Sequence, residues 1–399
     1  MILRPDAVVL PGAEVRSGLE VCIEGGRIAE IRPWSKAARG ETGMLLSPAF
    51  VNAHSHLEYA DLDGAIPTTA ETDESPYWAW IRSLAAVKPK RDVDAVRRAA
   101  QAAARANGAC GVTALGEYSD WAVAGEAMST VGIGGRIFRE VITLAEGAEE
   151  KWLSAIAEDD QERAGIPMHF SAHATYTVSP RVISAIAERS QPNAIHVAET
   201  SEERQFFETG GGPIADLYRK YCVDWPVPGL SPIEYLDTLG ALHPRTQIVH
   251  ACAVDDADIE LMASRGVSVA HCPRSNRLLS GGLRAPIAKM RAKGISVGIG
   301  MDSPASSGPV DYFEEMRAAL EDCDLPAEVI WSMATEGGAK SIWLDRDWRI
   351  AQGADADLIL LETCGTGLAD QIDMGNPGRI VKKIMMGPGE GPTPCAGRQ

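Results

Sequence analysis

Two hydrophobic patterns separate the ends of this chain from its middle. The first fifty residues contain short apolar runs broken by turns (DAVVL, EVCIEGGRIAEIRP, MLLSP), and similar runs (ADADLILLE, RIVKKIMMG) return near the carboxyl end. Gly25 and Gly26 stand between two such runs and predict a β-hairpin. The two ends together therefore predict one small β-sandwich domain, formed by residues 1–48 and 349–399.

The middle of the chain, residues 49–348, alternates between apolar runs and helical patterns such as DVDAVRRAAQAAARANGA, PRVISAIAERS and DDADIELMASRG. Continuous apolar strands that alternate with helices predict a parallel sheet covered on both faces. Eight strands are the number of a closed (β/α)8 TIM barrel. A doubly wound open sheet is the alternative, but no glycine-rich phosphate loop follows the first strand. The candidate strands are PAFVNAHSH, GVTALGE, GRIFREV, MHFSAHA, NAIHVAE, TQIVHAC, VSVAHCP and SVGIGMD.

Composition and charge narrow the possible functions. The 399 residues are 45% hydrophobic and 23% charged, which is typical of a soluble globular protein. A net charge of -17 argues against nucleic-acid binding, because such a surface repels phosphate backbones. The eight cysteines include no C-x-x-C pair, and no apolar run is long enough to span a membrane. We therefore expect a cytoplasmic protein with reduced thiols.

Polar side chains gather at the carboxyl ends of the predicted strands, where barrel enzymes carry their chemistry. Six of the eight histidines lie at or just after the ends of these strands, among apolar neighbours. A buried histidine costs desolvation unless it finds a partner, so core packing alone explains such a set poorly. The residues at the strand ends are His54, His56, Glu117, Arg139, His173, His196, Glu199, His250, His271 and Asp302.

A metal ion explains these residues. His54 and His56 point to the same side of the first strand, while His196 and Asp302 come from the fifth and eighth strands, which meet at the barrel mouth. Imidazole and carboxylate ligands suit zinc, with iron as the alternative. The fourth strand contains no lysine that could bridge two metals, so the pattern predicts one divalent ion.

Five motifs, in order along the chain, resemble those of the amidohydrolase superfamily in its deaminase and chlorohydrolase branch: PAFVNAHSHLE, HVAET, VHAC, HCPRSN and GIGMDSPAS. The resemblance extends over essentially the whole chain. It implies a barrel with a small β-domain, and a homodimer, since family members are commonly dimers or larger. Two positions depart from the usual motifs, Ala49 in place of glycine and Met301 in place of threonine, and neither is a ligand.

The resemblance also implies roles for individual residues. His54, His56, His196 and Asp302 would bind the metal, and Asp302 would also accept a proton from water. His250 would orient the water and the developing alkoxide. Glu199 would carry a proton to the ring nitrogen of the substrate.

The substrate that this resemblance implies is an adenine-type nucleoside, deaminated at its 6-amino group. The S-adenosylhomocysteine deaminases carry a ribose-binding glutamate where this chain has Ala79. The H-x-H-L-E opening with Glu58 is similar to aminodeoxyfutalosine deaminases of menaquinone synthesis, which makes aminodeoxyfutalosine the expected substrate. The residues expected to contact it are Glu58, Trp80, Arg139, His173 and Ser303.

Three alternatives remain open at the level of sequence. The enzyme could deaminate adenosine, S-adenosylhomocysteine, methylthioadenosine, guanine or a pterin. It could instead hydrolyse a chloro or alkylamino group on a triazine-like ring, although Glu199 argues against this because such chlorohydrolases can lack the acid. A non-catalytic scaffold is the third alternative, and the retention of all the site residues argues against it.

Overall fold

The computed structural model describes residues 1–34, 40–66, 75–158, 161–363, 365, 367–375 and 377–385. The end of the predicted carboxyl-terminal segment, residues 386–399, lies outside the described residues.

Six short strands begin the chain. The predicted hairpin is present, since the fourth and fifth strands pair antiparallel with Glu24 opposite Arg27. Gly25 and Gly26 have φ values of 54° and 74°, as a tight hairpin turn with two left-handed residues requires. The strands are β1 (Ile2–Leu3), β2 (Pro5–Leu10), β3 (Glu14–Ser17), β4 (Leu19–Glu24), β5 (Arg27–Pro33) and β6 (Glu41–Pro48).

All eight strands predicted for the middle of the chain are present and mostly buried. They lie in two parallel sheets of four, and a short extra strand, which the sequence pattern did not predict, pairs antiparallel at one edge. The central strands are β7 (Phe50–Ser55), β8 (Val112–Ser119), β9 (Gly134–Val141), β10 (Gln161–Arg163), β11 (Ile166–Ala172), β12 (Asn193–Val197), β13 (Thr246–His250), β14 (Ser268–His271) and β15 (Ser296–Ile299). The parallel neighbours are β7-β8-β9-β11 and β12-β13-β14-β15.

Backbone bridges join these two sheets at both edges. Ala174, just after β11, pairs with His196 in β12, and Ser55, at the end of β7, pairs with Asp302, just after β15. The His54 carbonyl accepts a hydrogen bond of 3.0 Å from the Asp302 amide. The strand ends that carry the candidate ligands are therefore connected directly through the backbone.

The two chain ends meet in one β-structure, as the sequence predicts. The last strands, β16 (Leu358–Glu362) and β17 (Ile380–Ile384), complete a five-stranded sheet in the order β17-β16-β6-β2-β3, beside a three-stranded sheet β1-β4-β5. Both sheets contribute to an apolar core separate from the central one. Its buried members on strands are Leu3, Val8, Val21, Ile23, Ile28, Leu46, Leu358 and Leu360.

Helices connect the central strands, and their ends follow local capping chemistry. The Asp92 side chain accepts a hydrogen bond from the Ala95 amide at the start of the second helix, and Gly266, with φ 71°, ends the ninth. Within the described residues no helix is long and apolar enough to cross a lipid bilayer. The α-helices are α1 (Pro76–Val87), α2 (Val93–Ala109), α3 (Ala124–Thr130), α4 (Ala148–Ala157), α5 (Pro180–Glu188), α6 (Ser201–Thr209), α7 (Pro213–Lys220), α8 (Pro232–Thr238), α9 (Asp256–Arg265), α10 (Pro273–Leu279), α11 (Ile287–Ala292), α12 (Pro304–Ser307), α13 (Tyr312–Asp322), α14 (Ala327–Ser332), α15 (Gly338–Ser341) and α16 (Leu368–Met374).

A fully buried carboxyl group on α13 makes stability depend on pH. Burial raises the pKa of Glu315 to about 8, although its Oε1 accepts a hydrogen bond of 2.9 Å from the Arg274 amide. The folded protein therefore keeps a proton that the unfolded chain releases near pH 4.5. The resulting contribution to stability is complete below pH 4.5 and is lost as the pH rises through 8.

We expect Glu315→Gln to flatten this dependence, because the amide cannot ionise. Thermal unfolding from pH 5 to 9 should give a midpoint that falls less steeply for Glu315→Gln than for the native chain. Glu314→Gln, at the exposed neighbouring position, is the matched control and should follow the native curve. Parallel curves for all three proteins would contradict the assignment.

Candidate active site

Three buried histidines converge at the ends of β7 and β12. One ring nitrogen from each of His54, His56 and His196 lies within 4.8 Å of the others. Neither ring nitrogen of His54 has a hydrogen-bond partner among the described residues, although the residue is completely buried. Burial lowers the pKa of His56 to about 3 and that of His196 well below its usual range, so these rings are neutral. The unpaired nitrogens of His54, beside the neutral rings of His56 and His196, fit a bound metal cation.

Asp302 stands beside this group with its two oxygens in different environments. Oδ1 lies 3.3 Å from His54 Nε2 and 3.5 Å from His56 Nε2. Oδ2 accepts hydrogen bonds from the hydroxyls of Ser275 and Ser306, at 2.6 and 2.7 Å. The serines therefore hold one oxygen and leave Oδ1 directed at the histidines.

Hydrogen bonds at Nδ1 orient two of the histidine rings. His196 Nδ1 lies 2.5 Å from the carbonyl oxygen of His173, and because a carbonyl only accepts, the proton is on Nδ1 and Nε2 is free for a metal. Glu140 and His173 also lie close to His196, but this bond occupies the nitrogen that lies 4.0 Å from Glu140 Oε1. His250 Nδ1 likewise donates to Asn276 Oδ1 at 2.8 Å.

Glu199 lies beside His250, with its Oε1 3.7 Å from His250 Nε2. Burial raises the pKa of Glu199 to about 7, against the attraction of His250 and a hydrogen bond from Tyr77. A carboxyl group with that pKa can both donate and accept a proton near neutral pH. The pair thus offers acid–base chemistry next to a candidate metal site.

The backbone is strained where these side chains emerge. Four residues other than glycine have left-handed φ values of 50° to 72°, a conformation that costs of order 1–2 kcal/mol each. Hydrogen bonds hold them, including one of 2.9 Å from the Cys252 amide to the Ala198 carbonyl. Such strain is characteristic of functional sites. The four residues are Ala198, His250, Ala251 and Asp302.

A cavity of about 210 Å³ opens onto this group, which is large enough for part of a small organic molecule. Its wall includes His56, His196, Glu199, His250 and Asp302. Three of the residues predicted to contact a substrate, Trp80, His173 and Ser303, also line it. The remaining wall is largely aromatic and aliphatic: Tyr59, Tyr77, Ile81, Leu84, Ile142, Leu144, Tyr176, Leu217 and Leu279.

Glu58, expected to reach the substrate, does not line this cavity. Its carboxylate accepts hydrogen bonds of 2.7 to 3.3 Å from the Ser119 hydroxyl and from four backbone amides. The chain turns there into α3, and a carboxylate is favourable at a helix amino terminus. Glu58 therefore holds the loop after β8 in place, and both of its oxygens are occupied. The four amides belong to Asp120, Trp121, Val123 and Ala124.

Arg139 is also placed away from the cavity wall. Its guanidinium group donates to the Ser119 carbonyl at 3.0 Å and lies over the Trp152 ring. Trp80, by contrast, lines the cavity while its indole nitrogen donates to the Ala305 carbonyl at 2.9 Å. The expected contact of Arg139 with substrate has no counterpart in this arrangement.

Several residues of the site were not predicted from the sequence. Ser275 and Asn276 belong to the HCPRSN motif, so their position after the seventh strand was the available signal. Lys88 lines the cavity at the end of α1, and Asp120 binds it. The spacing of residues 77, 80, 81, 84 and 88 marks one face of a helix and could have indicated this wall.

The chain is similar to known proteins in sequence and in fold. Residues 45–389 match the model of the amidohydrolase family. A 5′-deoxyadenosine deaminase of Methanothrix thermoacetophila is 30% identical over 386 residues, which cover 90% of this chain and 85% of the relative. An aminodeoxyfutalosine deaminase of Deinococcus radiodurans is 30% identical over 354 residues, covering 83% and 81%. The solved structure of a zinc-bound adenosine deaminase from Xanthomonas campestris has the same fold, with a TM-score of 0.79, 24% identity and coverage of 96% and 91%.

Proposed function

Because the chain belongs to the amidohydrolase family, we propose that it is a metal-dependent deaminase that hydrolyses the 6-amino group of an adenine-type nucleoside. The observation that carries this proposal is the convergence of His54, His56 and His196 on one point, with Asp302 beside them. Relatives named as deaminases of adenine nucleosides support the choice of substrate class.

The architecture that goes with this proposal is a closed (β/α)8 barrel formed by residues 49–348. The bridges Ala174–His196 and Ser55–Asp302 support closure, since they link the two parallel sheets at both edges. Residues 1–48 and 349–399 would form the small β-domain. A doubly wound sheet would leave two edges unjoined.

The metal would be held by His54, His56, His196 and Asp302, with zinc as the proposed ion and iron as the alternative. When bound, such an ion supplies the Lewis acidity that makes water a nucleophile at neutral pH. Asp302 Oδ1 accepts the proton of the attacking water, because Oδ2 is already held by two serine hydroxyls. Water adds to the carbon that carries the amino group, so a C–O bond forms.

Glu199 supplies the proton for the ring nitrogen, and His250 stabilises the charge that develops on the new oxygen. Glu199 donates to the ring nitrogen beside the attacked carbon. Asp302 then returns its proton to the amino group, so that the C–N bond breaks and ammonia leaves, and Glu199 recovers a proton from the new hydroxyl as the carbonyl forms. His250 can donate to the new oxygen from Nε2 only as an imidazolium, because the bond to Asn276 keeps the other proton on Nδ1. The product is a lactam carbonyl.

Among adenine nucleosides we propose aminodeoxyfutalosine as the substrate, which would place the protein in menaquinone synthesis. The Deinococcus radiodurans relative supports this choice. The Methanothrix thermoacetophila relative, equally identical and covering more of the chain, supports 5′-deoxyadenosine as the second candidate.

Ammonia release distinguishes these candidates. The zinc-loaded protein would be assayed with aminodeoxyfutalosine, 5′-deoxyadenosine, S-adenosylhomocysteine, adenosine, guanine and a chlorotriazine. We expect turnover of at least one adenine nucleoside, loss of activity after the metal is removed with a chelator, and recovery when zinc is restored. Turnover of guanine or the chlorotriazine alone would refute the proposed substrate class.

A further inference from the structure

One wall of the cavity carries a single positive charge. Residues on one face of α1, among them Tyr77, Trp80, Ile81 and Leu84, form an apolar surface that ends at Lys88 just beyond the helix. Among the described residues that line the cavity, Lys88 is the sole lysine or arginine. Its side chain is one quarter exposed, so it is accessible from the cavity.

Lys88 forms an ion pair with a buried carboxylate. Its Nζ lies 2.6 Å from Asp120 Oδ2, and the same oxygen accepts a hydrogen bond of 2.6 Å from the Tyr59 hydroxyl. The Tyr59 ring stacks on His56, with the two ring planes 5° apart and 5.1 Å between centroids. Tyr59 therefore connects the ion pair to His56, a candidate metal ligand.

Hydrogen bonds and a second ion pair hold the backbone that carries Asp120. Glu58 binds the amide of Asp120 itself and those of the next residues, which sets the position of the carboxylate. Arg91 donates to the Glu58 carbonyl and forms an ion pair with Asp61 at 2.6 Å. The loops after β7 and β8 are thus tied together, and the ion pair is preorganised at their junction.

His173 adds a hydrogen-bonding group to the same cavity. Its Nδ1 lies 2.9 Å from the Thr177 hydroxyl, and that hydroxyl donates to the Ala174 carbonyl. With that hydroxyl donating to the carbonyl, a neutral His173 carries its proton on Nδ1, and Nε2 is left as an acceptor. Lys88 and His173 line the cavity, whereas Asp120 does not line it but binds Lys88. Together they offer an ammonium group as donor and two groups, the carboxylate and the imidazole, as acceptors.

We propose that Lys88 and Asp120 form the subsite that binds the vicinal hydroxyl groups of the substrate's sugar, with His173 as a neighbouring acceptor. This inference rests on the proposed function, since it requires a nucleoside. A diol suits the pair because a hydroxyl can donate a hydrogen bond to the carboxylate of Asp120 and can also accept one from the ammonium group of Lys88. A substrate carboxylate suits it less well, because Asp120 already neutralises the lysine.

The test takes whichever of aminodeoxyfutalosine and 5′-deoxyadenosine the native protein turns over faster. It compares kcat/KM for that nucleoside with kcat/KM for its 2′- and 3′-deoxy analogues, in the zinc-loaded native protein and in the variants Asp120→Asn and Lys88→Met. We expect loss of either hydroxyl to cost the native protein about 10- to 100-fold, the range for a hydrogen bond to a charged group. In the variants KM for the diol substrate should rise, and the penalty for a missing hydroxyl should shrink to about threefold or less.

Two further proteins keep this test decisive. Lys90→Met changes the exposed lysine two residues away and should retain the native discrimination. Lys88→Arg keeps the charge and should restore part of the discrimination lost in Lys88→Met, which separates loss of the contact from misfolding. The kinetic comparison is made at equal zinc content, and the thermal unfolding midpoint of each variant is measured alongside it to show that the variant is folded.

Each remaining outcome overturns the inference in a different way. The pair does not bind the hydroxyls if removing one lowers kcat/KM equally in the native protein and in both variants. The same conclusion follows if removing one has no effect in the native protein. A defect of Lys88→Met restricted to S-adenosylhomocysteine, which bears a carboxylate, would make Lys88 an anion site. If the native protein turns over no nucleoside in the panel, the proposed function itself fails, and the subsite fails with it.

Discussion

Glu199→Gln is expected to lower kcat for nucleoside deamination by about 10²- to 10⁴-fold, the range for a positioned proton donor. The glutamine has nearly the same shape but cannot deliver a proton to the ring nitrogen. Burial holds the pKa of Glu199 at about 7, so the native side chain can give and recover a proton within one turnover at neutral pH. Steady-state kinetics of ammonia release, with zinc content measured on the same samples, would give the effect.

The control for Glu199→Gln is Glu202→Gln, three residues further along the chain and outside the cavity. It should leave kcat within about twofold of the native value. KM should change little in either variant, because the proposed role of Glu199 is in the chemical step. A Glu199→Gln protein that binds zinc normally and keeps native kcat would remove Glu199 from the mechanism.

Glu58→Ala is expected to destabilise the protein by about 3 kcal/mol or more, and to impair binding as a consequence. Four backbone amides and the Ser119 hydroxyl would lose their acceptor, and the amide of Ala124 at the start of α3 is among them. Each buried donor left without a partner costs about 1–3 kcal/mol, reduced where water enters. Urea unfolding followed by circular dichroism would measure the change.

Glu126→Gln provides the comparison for Glu58→Ala, since it also removes a carboxylate near the start of α3 but at a largely exposed position. Its effect on the free energy of unfolding should stay within about 0.5 kcal/mol. Glu58→Gln separates the two possible roles of this residue. Lower kcat/KM with unchanged stability would support direct contact with substrate, which the present position of Glu58 argues against.

The candidate metal centre could be located from sequence because its signals are local. His54 and His56 alternate along a strand, so they must point the same way, and His196 and Asp302 also follow apolar runs that read as buried strands. Parallel strands bring their carboxyl ends to one edge, which places these residues together without further information. The three histidines do converge, and Asp302 lies beside them.

The substrate side of the cavity was much less predictable. Glu58 follows the two histidines closely in sequence, yet its carboxylate is taken up by amides that lie about sixty residues away. Which backbone amides need a side-chain acceptor depends on how the loops pack, and no local sequence pattern shows this. The pairing of Lys88 with Asp120 was equally hard to predict, since the two residues belong to segments that follow different strands.

Sequence patterns were enough to predict the order of the central strands along the chain, the β-structure formed by both chain ends, and the histidines that converge at the candidate metal site. These depend on residue periodicity, on a glycine turn and on strand ends, all of which are local. Which polar groups face the cavity, and which instead hold the surrounding loops in place, became visible in the folded structure. A buried charge takes whichever donors the folded loops bring within hydrogen-bond distance, and that distance is set by contacts far apart in the chain.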